Sequence, residues 1–234
     1  MQNKIELVNI SKQFKNETVL KNITMTVEEK AVYGLLGPNG SGKSTTLKII
    51  TGVLKPTSGK IYINQENWKQ EHLNKIGTMI EGPAIYPNLT AYENLDVLAT
   101  LLHISKERIG EVLEIVNLTT TGSKLAKNFS LGMKQRLGIA MALLNDPEII
   151  ILDEPTNGLD PVGIKELREL IISFPKKGKT VILSSHLLSE VQQVSDKIGI
   201  IHQGVLAYEG ENSKSEQELE ALFMEIISRG ERDV

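Results

Sequence analysis

Gly37-Pro38-Asn39-Gly40-Ser41-Gly42-Lys43-Ser44 is the stretch that decides the fold of this chain. It fits the pattern G-x-x-x-x-G-K-[ST] at every fixed position, the pattern of a loop that cradles phosphate. A triphosphate needs many hydrogen-bond donors close to its oxygens. Backbone N–H groups supply them where no side chain intervenes, and glycines allow both the tight turn and the close approach. In such a loop the Lys43 ammonium meets the β- and γ-phosphates, and the Ser44 hydroxyl can ligate Mg²⁺. Upstream, Ala31-Val32-Tyr33-Gly34-Leu35-Leu36 reads as a short buried strand, and downstream Thr45 to Ile50 reads as helix. The loop therefore opens a helix N-terminus, which favours anions. Residues Gly37, Pro38, Asn39, Gly40, Ser41, Gly42, Lys43, Ser44 and Thr45 are the expected nucleotide-binding set.

Outward from this unit the texture changes twice. Residues 4–8 and 23–27 alternate apolar and polar side chains and predict half-buried strands. Gly59 to Ile63 predicts another, after the turn Pro56-Thr57-Ser58-Gly59, and Ile76 to Ile80 a further one. The front third thus reads as an antiparallel patch feeding the phosphate loop. From about residue 88 to 146 the chain reads as an almost wholly helical insert. Thr90-Ala91-Tyr92-Glu93 is a capping box, followed at helical spacing by Leu95, Leu98, Leu101 and Leu102. Ser105 is a candidate cap for a second helix, with Ile109, Val112, Leu113 and Val116 on one face. Beyond the insert, strands at 148–152, 180–184 and 197–202 alternate with helices at 161–174 and 187–194. Such alternation predicts an α/β fold, a parallel sheet covered by helices. Residues 213–229 read as a terminal amphipathic helix, and the single Trp68 lies in a polar stretch without a signal.

Two further strand ends carry chemistry. Ile149-Ile150-Ile151-Leu152 runs into Asp153 and Glu154. An acid at the end of such a strand supports Mg²⁺ in phosphate-loop enzymes, which is the role expected of Asp153. Glu154 is then placed to polarise a water for in-line attack on the γ-phosphate. Ser184-Ser185-His186 follows the apolar run Val181-Ile182-Leu183. Parallel topology would bring His186 to the same sheet edge, where ligands bind in open α/β sheets.

Composition narrows the setting. With 40% hydrophobic and 24% charged residues, the 234-residue chain can bury a real core. A net charge of −3 without a basic block argues against nucleic acid as the main partner. The absence of cysteine excludes disulfides and fits a reducing, cytoplasmic compartment. The N-terminal residues carry no signal-peptide pattern, and no run approaches the roughly 20 apolar residues that span a bilayer. Any membrane span is expected from another chain.

In order and spacing these motifs resemble the nucleotide-binding domain of ATP-binding cassette (ABC) transporters, from Phe14 to the hairpin around Gly204. Phe129-Ser130-Leu131-Gly132-Met133-Lys134-Gln135-Arg136 stands where that family has its L-S-G-G-Q signature. The resemblance implies one domain over 1–234, a phosphate-loop ABC ATPase fold with a RecA-like core, an antiparallel β subdomain and a helical subdomain inserted at 88–146. It implies ATP and Mg²⁺ as ligands, and a homodimer or paired ATPase subunits around two ATP. Ser130 and Gly132 would then donate to the γ-phosphate held by the other subunit, and Asp160 in Asn157-Gly158-Leu159-Asp160 would lie in the loop crossing that interface. Leu131 and Met133 depart from the signature, and no role is carried onto Met133. Phe14 matches the aromatic that stacks on adenine. Glu81, in Met79-Ile80-Glu81-Gly82-Pro83, stands where the family usually has a Gln that reaches Mg²⁺ and the attacking water and connects to the membrane subunit. Lys43, Glu81, Glu154 and His186 are the implied catalytic residues, with Ser44, Glu81 and Asp153 around the metal.

Glu at that loop, together with this variant signature, is similar to ATPase subunits of bacitracin-resistance and lantibiotic-immunity transporters. The implied partner is a membrane-spanning permease that docks near the helical insert and the loop beginning at Glu81, with the chain peripheral on the cytoplasmic face. Two other readings remain open at this point: export of another drug, ion or lipid, and a non-transport ABC ATPase acting on nucleic acid or ribosomes.

Overall fold

The computed structural model describes residues 2–230, so Met1 and residues 231–234 of the expected span lie outside the described residues. Strands β1 (Asn3–Phe14) and β2 (Glu17–Glu28) form a long hairpin, followed by β3 (Val32–Leu36), the phosphate loop and α1 (Lys43–Ile50). β4 (Ser58–Ile63) and β5 (Glu66–Asn67) return to the hairpin and complete an antiparallel sheet of order β2-β1-β4-β5. After β6 (Ile76–Met79) come three helices, α2 (Ala91–Leu102), α3 (Glu107–Ile115) and α4 (Leu131–Leu143). The remaining elements are β7 (Ile149–Asp153), α5 (Pro161–Lys176), β8 (Thr180–Ser185), α6 (Leu188–Gln192), β9 (Lys197–His202), β10 (Val205–Glu211) and α7 (Glu216–Gly230). They form a second sheet of order β10-β9-β3-β8-β7-β6, parallel except for the edge strand β10.

β3, β7 and β8 are buried along their whole length, because both faces of the parallel sheet are covered. On one face Tyr33, Leu35, Ile149, Ile151 and Ile182 pack with α1 and the antiparallel sheet. On the other, Leu36, Ile150, Leu152, Val181 and Leu183 pack with the helices.

The hairpin β1–β2 extends beyond the alternating runs 4–8 and 23–27. Asn9 and Asn22 both adopt φ of 53°, and the strand pairing shifts register there. Each shift reverses which parity faces inward: Ile5 and Leu7 are buried, then Ile10; Leu20 is buried, then Ile23, Met25 and Val27. A period of two cannot be followed across a bulge.

The capping box at Thr90 forms as expected, with Thr90 Oγ1 accepting from Glu93 N at 3.2 Å and Glu93 Oε2 from Thr90 N at 2.8 Å. Ser105 is not the cap of α3; the N-cap is Lys106, one residue on. Leu101 and Leu102 do not join the buried face of α2: they are 71% and 49% exposed, beside a groove described below. Trp68 has a definite role. Its indole N–H donates to the Ile50 carbonyl at 3.0 Å and so closes the C-terminal end of α1.

A phosphate-loop site at the sheet edge

Three parallel strands end side by side. In register, Leu36 of β3 pairs with Ser185 of β8, and Ser184 of β8 pairs with Asp153 of β7. The phosphate loop, His186 and the Asp153-Glu154 pair are therefore brought to one edge, as the parallel topology requires.

Gly42 has φ of 113° and a Cβ there would meet Leu20 at 2.5 Å, so no L side chain fits. A Cβ on Gly37 would lie 2.2 Å from the Ile201 carbonyl oxygen. The β9–β10 hairpin locks the loop from the side, with Gly204 N–H donating to Ser41 O at 3.0 Å and Gly204 O accepting from Lys21 N at 2.7 Å. Lys43 is a buried cation, 5% exposed. Its ammonium donates to Gly37 O at 2.8 Å and Pro38 O at 3.2 Å, and lies 3.2 Å from Glu154 Oε1. The Ser41 hydroxyl is buried without a partner. Above the loop is a cavity of about 350 Å³, walled by Glu17, Val19, Asn39, Thr45 and Glu154. Phe14, 41% exposed, pairs with Glu17 across the β1–β2 hairpin, and the Lys12 ammonium stands 4.8 Å from its ring centroid.

Glu154 is held from three sides. Its Oε2 lies 2.8 Å from His186 Nδ1 and accepts from His186 N at 3.4 Å, while its own N–H donates to Ser184 Oγ at 3.1 Å and Ser184 O at 3.2 Å. Its φ is 49°, a left-handed conformation that costs a non-glycine residue about 1–2 kcal/mol. Asp153 is buried, and its Oδ1 accepts from the Ser184 hydroxyl. Ser184 thus links both carboxylate positions, a function that sequence reasoning missed. The available signal was a serine closing an apolar, fully buried strand, where a hydroxyl must find a partner.

Mg²⁺ and a triphosphate fit this donor set. Ser44 and Asp153 offer the hard oxygens that Mg²⁺ takes alongside phosphate oxygens, and the first turn of α1 presents N–H groups that have no carbonyl a turn earlier.

Glu81 is elsewhere. It is exposed, has φ of 61°, and its carboxylate is ion-paired with Lys48, one turn beyond Ser44 on α1. Glu81 is not among the residues that wall the phosphate-loop cavity. Ser130, Gly132 and Asp160 are also apart from the phosphate loop. They line a second cleft, of about 410 Å³, that shares no lining residue with the first. Ser130 caps α4, its hydroxyl accepting from Met133 N at 3.3 Å, and Asp160 caps α5, accepting from Gly163 N at 2.9 Å. A Cβ on Gly132 would meet only Leu159, at 3.8 Å, so the chain's own packing does not demand glycine there.

The ABC transporter family model matches residues 20–157. The chain belongs to the ABC transporter family. A shorter match, to an AAA domain, covers 125–191. The lantibiotic transport ATP-binding protein SrtF of Streptococcus pyogenes is 48% identical over 94% of this chain and 95% of its own length. The bacitracin transport ATP-binding protein BcrA of Bacillus licheniformis is 50% identical over 88% of this chain and 69% of its own. Among solved structures, an ATP-binding subunit of an ABC transporter superposes with a TM-score of 0.81 at 30% identity, covering 94% of this chain and 99% of that one. A dimeric post-hydrolysis ATP-binding cassette, MJ0796 bound to ADP and Pi, gives 0.79 at 28% identity, covering 90% and 100%. This ABC protein is accordingly an ATP-binding and ATP-hydrolysing cassette of a transporter. Among the described residues no helix is long and apolar enough to cross a membrane.

Proposed function

We propose that this cassette hydrolyses Mg·ATP to drive a membrane-spanning permease that clears a lantibiotic or related antimicrobial peptide from the cell's own membrane. The observation that carries the hydrolytic half is the chain Lys43–Glu154–His186, in which one carboxylate touches both the loop cation and an imidazole. The cargo rests on the two peptide-antibiotic transporter relatives of 48% and 50% identity.

Phosphates entering the loop would compete with Glu154 for Lys43 and free the carboxylate for water. Glu154 then takes a proton from the attacking water, and His186 holds Glu154 and donates toward the γ-phosphate. Mg²⁺, held by Ser44 and Asp153, would offset charge on the phosphoryl oxygens. Phe14 supplies the adenine platform. Ser130 and Gly132 line a cleft that one copy does not bring to its own loop, which supports a sandwich of two cassettes with Asp160 at the crossing.

One groove supports docking of the permease on this face. A groove of about 530 Å³ between β6, α2 and α4 is walled by Val53, Met79, Pro83, Leu98, Leu102 and Met141. It lies beside the loop at Glu81, and the half-exposed Leu102 is part of its wall. On this reading the protein is peripheral on the cytoplasmic face.

Glu154→Gln keeps the shape and removes the basicity. ATP binding should persist while turnover falls by about 10²-fold or more, and cells carrying the variant should lose survival against lantibiotics. Turnover within a factor of two of the parent would remove Glu154 from the role of base. Unchanged survival with turnover abolished would instead remove the cargo.

A further inference from the structure

The far end of α1, away from the phosphate loop, is closed on every carbonyl. Leu47 O accepts from Thr51 N at 3.0 Å, Lys48 O from Leu54 N at 3.0 Å, and Ile49 O from Gly52 N at 3.1 Å. Ile50 O takes the Trp68 indole N–H at 3.0 Å. The negative partial charge that a helix C-terminus ordinarily shows to solvent is therefore largely spent inside the chain. Gly52 lets the indole come this close: its φ is 71°, and a Cβ there would lie 2.5 Å from Trp68 Cζ2.

Between this helix end and strands β4 and β5 lies a cavity of about 230 Å³. Ile49, Leu54, Ile61 and Trp68 give it carbon walls, Lys55 and Lys60 are its cations, and no carboxylate lines it. Lys4 of β1 has Glu148 as a partner, and Lys69, just after β5, has Glu66. Among the described residues the Lys55 and Lys60 ammonium groups have no such partner. The cavity shares no lining residue with the phosphate-loop cavity, the Ser130 cleft or the groove at β6. Nothing in the proposed hydrolysis or docking uses it.

We propose that this cavity is a binding site for a small amphiphilic anion, an aromatic ring on a short stem that ends in a carboxylate. An apolar cavity of about 150 Å³ takes benzene, so this one has room for the ring and part of the stem. Burial of the ring against Ile49, Leu54, Ile61 and Trp68 drives binding. Lys55 and Lys60 select the sign of the head group, through charge-assisted hydrogen bonds that an alcohol or an amine cannot make. Because the last carbonyls of α1 are already taken, the helix end does little to repel the anion.

Trp68 is the only tryptophan of the chain, so its emission reports on this wall alone. The purified cassette is titrated with 3-phenylpropionate, with the neutral 3-phenylpropanol and with the cationic 3-phenylpropylammonium. The acid should give a saturable change with its midpoint at about 1 mM. The alcohol should bind about tenfold more weakly, and the amine should give no saturable change. In the Lys55→Gln/Lys60→Gln double variant the acid should fall to the level of the alcohol. The alcohol should keep its parent midpoint there, which shows the cavity intact. A saturating non-hydrolysable ATP analogue should not displace the acid. The proposal is overturned by a response to the acid that never saturates, or by equal midpoints for acid and alcohol in the parent. An acid midpoint unmoved in the double variant also overturns it, as does displacement by the analogue, which would place the acid in the nucleotide site.

Discussion

Ser184 shows how much of this site hangs on one hydroxyl. It donates to Asp153 and receives the N–H of Glu154, so a single oxygen fixes the acid proposed to face the metal and the turn that carries the proposed base. Ser184→Ala leaves a buried carboxylate oxygen without its donor. We expect a loss of about 1–3 kcal/mol in urea unfolding, together with a fall in kcat larger than any change in KM, because the nucleotide is gripped mainly by Lys43 and the loop. A variant as stable and as fast as the parent would show that the bond is incidental. At this scale the sequence was legible where a residue type announces its chemistry. Lys43, Asp153, Glu154 and His186 sit together as their motifs imply. Ser184 and Lys48 were not legible, because their partners come from another strand or loop some 30 residues away. Glu81 was read as a metal-side residue by its place in a motif, and its carboxylate is ion-paired with Lys48.

Among the elements, the helices and buried strands were readable because their periods are unbroken; β9 matches its expected bounds, Lys197–His202. The hairpin β1–β2 was half readable, since matched bulges at Asn9 and Asn22 reset the alternation. The connection of the two sheets was not readable at all. Glu148, just before β7, is ion-paired with Lys4 of β1 and with Lys75 ahead of β6. Hydrogen bonds from these two lysines hold its carboxyl down at about 2. A folded-state value below the ordinary one means that the contribution is complete above about pH 4.3 and disappears as the pH falls through 2. The side chain is 41% exposed, so solvent screening limits the pair to about 1 kcal/mol or less. The stability difference between the parent and Glu148→Gln should therefore be constant above pH 5 and shrink toward nil near pH 2, measured by urea unfolding across that range. A difference that stays level to pH 2 would assign the effect to shape instead of charge.

Over the whole molecule, the decisive feature is that the phosphate-loop cavity and the Ser130 cleft are separate. Gly132 has room for a side chain within its own chain, so its own packing does not require glycine there, and the proposed second copy would. Gly132→Asp should leave ATP binding through Lys43 intact and block pairing, because the new carboxylate would face the γ-phosphate of the other copy. Light scattering with ATP in a Glu154→Gln background reads this directly: the single variant should form a dimer and the double variant should not. A dimer in both would refute the shared site. The groove between β6, α2 and α4 was not legible, because a helical period counts the exposed Leu101 and Leu102 as core.

That separation has a consequence in heredity. Where two half-sites must meet, a damaged copy spoils not only its own work but that of any sound copy it joins. In a cell expressing intact and Glu154→Gln alleles equally, random pairing would leave about a quarter of the pairs wholly sound. Lesions that spare pairing but stop turnover would thus behave as partly dominant, whereas lesions that prevent pairing, such as Gly132→Asp, or that unfold the chain would be recessive.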